Sequence, residues 1–276
     1  MQTIDGKALA KQIKEKVKKD IQTLDQVPGL GVILVGADPA SHLYVGLKEK
    51  ACVEAGIHFE KYLYFHTEPE SKIIERINIL NDRSDIHAIL VQLPLPYQFD
   101  TDNVIGAIDP KKDADGFHPD NIERLLKGGP LIISPIHSGI ITLIESTEID
   151  FKNKKCLIIT NSDTFANPLK SLLETRGTEC DILLAPFNNI DKKVKQSDIV
   201  ISAIGKPEFI QGEWFKDNAV IIDAGTTQLD DGRVVGDVDF ESTKEKNGFI
   251  TPVPGGVGPM TIAMLLENVV ELAKSR

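Results

Sequence analysis

The chain has little cysteine, no long apolar run and no internal repeat. Only Cys52, Cys156 and Cys180 are present. The number is odd, and no pair has the spacing of zinc ligands or of a Cys-x-x-Cys redox motif. A disulfide framework, a structural zinc site and dithiol chemistry are therefore not expected. Each cysteine lies in an apolar or helical stretch, which reads as a buried free thiol in a reducing compartment. No run is long and apolar enough to cross a bilayer. Met1 to Lys19 is lysine-rich and amphipathic and lacks the apolar core of a signal peptide, so the expected address is the cytoplasm. Positive charge is also short, with 31 Lys and Arg against 41 Asp and Glu and a net charge of −10. That balance argues against a nucleic-acid or anionic-membrane partner, while leaving room for a local basic pocket that takes a polyanionic small molecule.

What is present is an alternation. The 276 residues suffice for two modest domains with ample core. Lys7 to Leu24 carries apolar residues at helical spacing, and Gly29 to Val35 is a short apolar run that reads as a buried strand. Ser41 to Ala55 is helical and stops at Gly56, a helix-ending glycine. His58 to Phe65 alternates like a strand, Glu70 to Leu80 is helical, and His87 to Gln92 is a strand broken by Leu93-Pro94-Leu95-Pro96. A second series follows the glycine- and proline-bearing stretch Lys127 to Pro135. Its strands are Cys156 to Thr160, Cys180 to Leu184, Ile199 to Ala203 and Ala219 to Asp223. Its helices are Pro168 to Thr175, with Pro168 suited to a first turn, and Met260 to Lys274. Strands and helices taking turns predict an α/β fold with parallel sheets, the second of the doubly wound, Rossmann-like type.

Four segments carry chemistry. Tyr44 and Lys48, four apart, share one helix face. A lysine beside an aromatic ring at a strand end can be desolvated into a proton-transfer group, though a solvated helix face is the plainer alternative. Val91 to Pro96 holds Gln92 at the carboxyl end of a parallel strand, where open α/β sheets bind ligands; an ordinary strand-ending loop fits as well. Asp113-Ala114-Asp115-Gly116-Phe117-His118 offers two carboxylates near a glycine, either a turn or an anchor for a ligand edge with two parallel donors. No cluster has metal-ligand spacing, so no metal site is expected. Pro252 to Thr261 packs three glycines and three prolines ahead of a helix, a stiffened backbone able to approach a ligand closely.

Taken in order, these segments resemble the bifunctional methylenetetrahydrofolate dehydrogenase/cyclohydrolase family. So do Ile4-Asp5-Gly6-Lys7, Ile204-Gly205-Lys206-Pro207 and Val235-Gly236-Asp237-Val238, and the matches span nearly the whole chain. The resemblance implies oxidation of 5,10-methylene-tetrahydrofolate to the 5,10-methenyl form, then hydrolysis to 10-formyl-tetrahydrofolate. It implies a folate-binding catalytic domain over 1–118 plus 255–276 and a dinucleotide-binding domain over 119–254. Carried over by motif, Lys48 is the central catalytic residue, with Gln92 positioning it, Tyr44 stacking on the folate rings and Asp115 anchoring the pterin. Val91, Leu93 and the loop residues Pro254, Gly255, Gly256, Val257, Gly258, Pro259 and Thr261 join Tyr44, Gln92 and Asp115 around the folate. NADP or NAD is the implied cofactor, held by Thr160, Asn161, Ser162, Ala185, Ala203, Gly205, Gly225 and Thr226. A homodimer is implied as well.

The chain departs from that family in two places. The family's Gly-Arg-Ser and following Gly-x-Pro correspond here to Thr160-Asn161-Ser162 and Ala166-Asn167-Pro168. Both glycines are gone and Asn161 stands where arginine is expected. Where the family often has His-Ser after the next strand, this chain has Leu184-Ala185. Losing two charge-assisted contacts, each about 1.5–3 kcal/mol, weakens an NADP phosphate by roughly two to four decades. NAD use or weak NADP use, or a site that takes neither, is the expected consequence. Alternative readings are thus a cyclohydrolase with a structural second domain, and a non-catalytic folate-binding protein, against which intact Lys48 speaks. The second departure is Ser134-Pro135-Ile136-His137-Ser138-Gly139 in place of Pro-Cys-Thr-Pro-x-Gly, where His137 reads as a hydrogen-bonding hinge residue.

Overall fold

A computed structural model describes residues 1–275. In chain order its first elements are β1 (Gln2–Thr3), α1 (Gly6–Ile21), β2 (Gly29–Val35), α2 (Pro39–Ala55), β3 (His58–Tyr64), α3 (Glu70–Asp82), β4 (Ala88–Val91), α4 (Thr101–Gly106), α5 (Pro119–Leu126) and α6 (Pro135–Glu145). Then come β5 (Lys155–Thr160), α7 (Asp163–Glu174), β6 (Glu179–Leu184), α8 (Ile190–Gln196), β7 (Ile199–Ala203), β8 (Ala219–Asp223), β9 (Thr227–Gln228), β10 (Val234–Val235), β11 (Gly248–Ile250) and α9 (Val257–Lys274). The chain divides into two units, Lys11–Pro135 with Ile262–Arg276, and Met1–Ala10 with Ile136–Thr261.

The first unit is built on a parallel sheet ordered β3-β2-β4. Side chains alternate across a strand, so the continuous apolar run of β2 serves two cores at once. Leu30, Val32 and Leu34 pack with Val45 of α2 and with Leu265, Leu266 and Val269 of α9. Ile33 and Val35 pack on the other face with Ile73, Ile77 and Leu80 of α3. Helix α2 begins two residues before the predicted start. The Asp38 carboxylate accepts from the Ser41 amide at 2.8 Å, and Pro39 fills the first turn. Gly56 ends it at φ 88°, in the left-handed region, as its sequence position predicts.

The second unit carries a six-stranded, all-parallel sheet ordered β1-β11-β8-β7-β5-β6. The chain runs from β5 outward to β6, then crosses back to β7 on the other side of β5. That reversal makes the β5–β7 crevice, at the carboxyl ends of the strands, the place where such sheets take ligands. Leu157, Ile159, Val200 and Ile221 fill one core with Val194 of α8 and Phe215.

Two expected helix starts are corrected. Pro168 is not in a first turn: α7 starts at Asp163, where the Ser162 hydroxyl caps the Phe165 amide at 3.2 Å. Pro168 is an interior residue, tolerated because it is buried and removes only one helical donor. Helix α9 starts at Val257 rather than Met260. Its first-turn Gly258 costs about 1 kcal/mol in propensity, which the long apolar face of α9 outweighs. The expected division at 118/119 and 254/255 also differs from the observed units. Segment 119–135 stays with the first unit, because Asn121 Nδ2 donates to Asp113 and Pro110, and Asn268 Nδ2 donates to the carbonyls of Ala114 and Ile133. Residues 1–10 belong to the second unit through the β1–β11 pairing.

Candidate active site and dinucleotide edge

In the first unit the helical spacing puts half-buried Tyr44 and Lys48 on successive turns of α2. Strand β4 ends at buried Val91, and the next residue, Gln92, keeps one ladder bond from its amide to Ile33 O at 2.9 Å. Gln92 Oε1 accepts from Lys48 Nζ at 2.9 Å, and Gln92 Nε2 donates to the carbonyl of Leu93 at 2.6 Å. The glutamine amide is therefore fixed in one orientation, oxygen toward the ammonium, and it sets where the ammonium sits.

The two carboxylates of the 113–118 segment have different fates. Buried Asp113 accepts from the amides of Gly116 (3.0 Å) and His118 (2.8 Å) and from Asn121 Nδ2 (3.0 Å). It is spent on holding the turn, in which Gly116 adopts φ 70°. Asp115 accepts no hydrogen bond among the described residues. Burial pushes its carboxyl above the ordinary aspartate range, the Lys48 charge opposes that rise, and the Asp113 charge adds to it. The turn reading thus belongs to Asp113, and Asp115 is left as an acceptor within electrostatic reach of Lys48.

The proline- and glycine-rich segment lies in the second unit. Gly256 donates its amide to Pro252 O at 2.8 Å, and a Cβ there would fall 2.6 Å from Thr251 Cβ. Gly255 sits at φ 119°. Pro254 and Gly258 are exposed, Val257 is buried, Pro259 is half-buried, and the half-buried Thr261 donates its hydroxyl to Gly258 O at 2.7 Å.

The remaining sequence-derived positions gather along one edge of the second unit. Thr160 and Ala203, register partners, end β5 and β7. Asn161 and Ser162 follow β5, Ala185 follows β6, Gly205 follows β7, and Gly225 and Thr226 follow β8. Gly205 holds φ 67°. A Cβ on Gly225 would meet Asp237 Cγ at 2.2 Å, so only glycine fits. Asn161, at the position where arginine was expected, is exposed but has its amide engaged within the edge. Its Nδ2 donates to the carbonyl of Ile204 at 2.7 Å and ties the β5 and β7 loops together.

Sequence reading missed what holds this edge. Buried Asp237 accepts from Ser202 Oγ (2.8 Å) and from the amides of Ile204 (2.8 Å) and Lys206 (3.0 Å). Its neighbour Asp223 accepts from the amides of Gly225, Asp237 and Val238. Burial raises the Asp223 carboxyl to about 7, with the Asp237 charge adding and the backbone donors opposing. A lone aspartate ending an apolar strand was the available signal. His137 is 1 % exposed in the first turn of α6, and neither ring nitrogen has a hydrogen-bond partner of ordinary geometry among the described residues. Its ring lies against Phe165, centroids 5.2 Å apart. Burial lowers its pKa to about 4, with the Phe165 backbone opposing the fall.

Together these features define an α/β enzyme with a lysine–glutamine–aspartate cluster on one parallel sheet and a dinucleotide-type edge on another. Residues 4–115 match the catalytic domain of tetrahydrofolate dehydrogenase/cyclohydrolase, and residues 134–276 match its NAD(P)-binding domain. The chain belongs to the tetrahydrofolate dehydrogenase/cyclohydrolase family. It is 42% identical over 278 residues to the bifunctional protein FolD of Nautilia profundicola, covering 100% of this chain and 98% of that one. The crystal structure of the bifunctional FolD dehydrogenase/cyclohydrolase of Campylobacter jejuni superposes with a TM-score of 0.96 at 39% identity, covering 100% and 99% of the two chains. The FolD of Trypanosoma brucei, solved with NADP cofactor and inhibitor, gives a TM-score of 0.94 at 32% identity, covering 99% and 97%.

Proposed function

We propose that this chain oxidises 5,10-methylene-tetrahydrofolate to 5,10-methenyl-tetrahydrofolate with NADP or NAD, and hydrolyses the product to 10-formyl-tetrahydrofolate. The first unit carries the folate chemistry and the second holds the dinucleotide. The observation that carries the reading is the Lys48–Gln92 hydrogen bond beside an Asp115 with no donor of its own.

The methenyl compound is a cation with an electrophilic carbon. Hydrolysis needs a water placed against that carbon, a proton moved, and the ring opened. Lys48 is the group that handles the proton, and Gln92 fixes its position. Tyr44, one turn away, offers a ring face for stacking on the folate. Asp115 suits the amidine-like edge of a pterin, where two parallel N–H donors meet two oxygens. Val91 and Leu93 flank Gln92 as apolar walls.

The edge of the second unit fits a dinucleotide on its own geometry. It has a reversal of strand order, a Gly205 turn, a close Gly225 backbone, and the capped N-terminus of α7 beside Thr160, Asn161 and Ser162. A bound nicotinamide supplies the hydride acceptor. Ala203, Gly205, Gly225 and Thr226 present small side chains or bare backbone along its path, and Ala185 lies where the adenosine end falls. Because Asn161 is bonded to Ile204 O, the choice between NADP and NAD passes to other groups. A homodimer in the cytoplasm completes the reading. Strand β3 is an open sheet edge, and exposed Leu43, Val53, Leu63 and Phe65 lie on α2 and along or just after β3.

The test is the decay of methenyl-tetrahydrofolate absorbance with wild type and Lys48→Ala. Hydrolysis is expected to fall by at least about 10²-fold, with folate affinity kept within a few-fold. Normal hydrolysis by the variant would refute the assignment. Reduction of NADP or NAD on adding methylene-tetrahydrofolate tests the other half separately.

A further inference from the structure

Lys206 is the one basic residue in the loop that follows β7, and its surroundings are unusual for a surface lysine. Its ammonium lies 5.1 Å from the centroid of the Phe187 ring and 5.0 Å from that of Phe209. Phe187 belongs to the loop after β6, reached through Ala185 and Pro186, and Phe209 to the continuation of the β7 loop. Phe209 is itself braced edge-on by Trp214, centroids 6.2 Å apart. The Lys206 amide donates to buried Asp237 at 3.0 Å, so the backbone beneath the side chain is fixed as well. Among the described residues no carboxylate pairs with the ammonium. A lysine held between two rings has lost much of its rotamer freedom before any ligand arrives, and its three N–H donors stay available.

The position has a meaning in the sheet. In a doubly wound nucleotide site, the residue that meets the 2′ group of the adenosine ribose lies past the end of the second strand of the βαβ unit. Here that strand is β6, and the loop after it carries Ala185, with no donor, and Phe187, whose ring seats the ammonium of Lys206. The loop after β5, which could have reached the same place, has its only long polar side chain, Asn161, bonded to Ile204 O. We infer that Lys206, cradled by Phe187 and Phe209, is the specificity residue that recognises the 2′-phosphate of NADP. This rests on the reading of the β5–β7 edge as the dinucleotide site. It makes the chain an NADP user despite Asn161 and Ala185, with the phosphate met as a point charge and not by a two-pronged guanidinium.

The experiment is calorimetric titration of the full-length protein with NADP, NAD, 2′-AMP and 5′-AMP. It compares wild type with Lys206→Gln, Lys206→Met and Lys206→Arg. Wild type is expected to prefer NADP to NAD and 2′-AMP to 5′-AMP. The Gln and Met variants should lose about ten- to one-hundred-fold in affinity for NADP and 2′-AMP and change less than about two-fold for NAD and 5′-AMP. Arg should restore most of the loss, and the NADP preference should shrink with added salt. Equal losses for all four ligands would show a structural role for the cradle and overturn the inference. Unchanged NADP affinity in the Gln and Met variants would also overturn it while leaving the dinucleotide reading standing. Failure of wild type to bind any of the four would remove both.

Discussion

Acid should unfold the second unit through His137. Among the described residues the imidazole, enclosed against Phe165, has no hydrogen-bond partner of ordinary geometry, and desolvation outweighs the one opposing contact, with the Phe165 backbone. Its folded pKa is about 4 against an ordinary 6.5. A depressed value means that the folded state holds the neutral ring and the unfolded state binds the proton first. The stabilising contribution is complete above pH 6.5 and is lost as pH falls toward 4. Between pH 7 and pH 4.5 the linkage relation gives a loss of about 2.5 kcal/mol. In urea, where each molar unit is worth about 2 kcal/mol for a domain of this size, that is a midpoint shift of roughly 1 M. The only tryptophan, Trp214, lies in the same unit, so intrinsic fluorescence follows the transition of interest. The assay is urea unfolding at both pH values for wild type, His137→Phe and His137→Leu. Other titrating groups are common to all three chains and cancel in the difference. The two variants should show a pH-dependent loss smaller than that of wild type by the amount given. If all three midpoints fall in parallel, the ring is not paying a protonation cost and the reasoning fails.

Two further outcomes follow from the buried aspartates. Asp223 titrates near 7 in the folded chain against an ordinary 3.8, a raised value, so its contribution is complete at acid pH and lost as pH rises through 7. Of that loss, about 2.5 kcal/mol falls between pH 5 and pH 8, and Asp223→Asn should flatten the thermal midpoint over that range; an unchanged slope would refute the assignment. Asp113→Ala strands three donors and should cost about 3 kcal/mol or more, a fall of roughly 5–10 °C in Tm. Asp115→Ala should leave Tm nearly unchanged and weaken folate binding, and the reverse pattern would exchange the roles given to the two carboxylates.

The strands and helices that position the chemistry were legible because their patterns are long. The continuous apolar run of β2 and the helical spacing of α2 each serve buried faces, and the structure returns β2 at the predicted residues. Short edge strands were not legible, since two or three residues such as β1 carry no period, and their pairing depends on β11, almost the whole chain away. The start of α7 was misplaced because Pro168 is a strong local signal, and only the fold reveals that Ser162 already caps the helix. The pairing of Lys48 with Gln92, and Asp115 within reach of the Lys48 charge, involve residues that the sequence had singled out. The difference between Asp113 and Asp115 was not legible, because it lies in which backbone amides happen to turn toward each carboxylate. The tie between Asn161 and Ile204 was hidden for the same reason, and so was the seat of Lys206.

Asp237 joins fold and selectivity in a way that limits how this chain can vary. One carboxylate anchors β7 through Ser202, shapes the loop through Ile204 and Lys206, and occupies the space a side chain at position 225 would need. Residues of three separate stretches of sequence are therefore tied to one side chain. Drift in the β9–β10 hairpin, which lies between Gly225 and Asp237, would be felt at Lys206 without any change to the nucleotide-facing residues. On the role proposed for Lys206, cofactor preference would be heritable through the interior of the protein as much as through its surface.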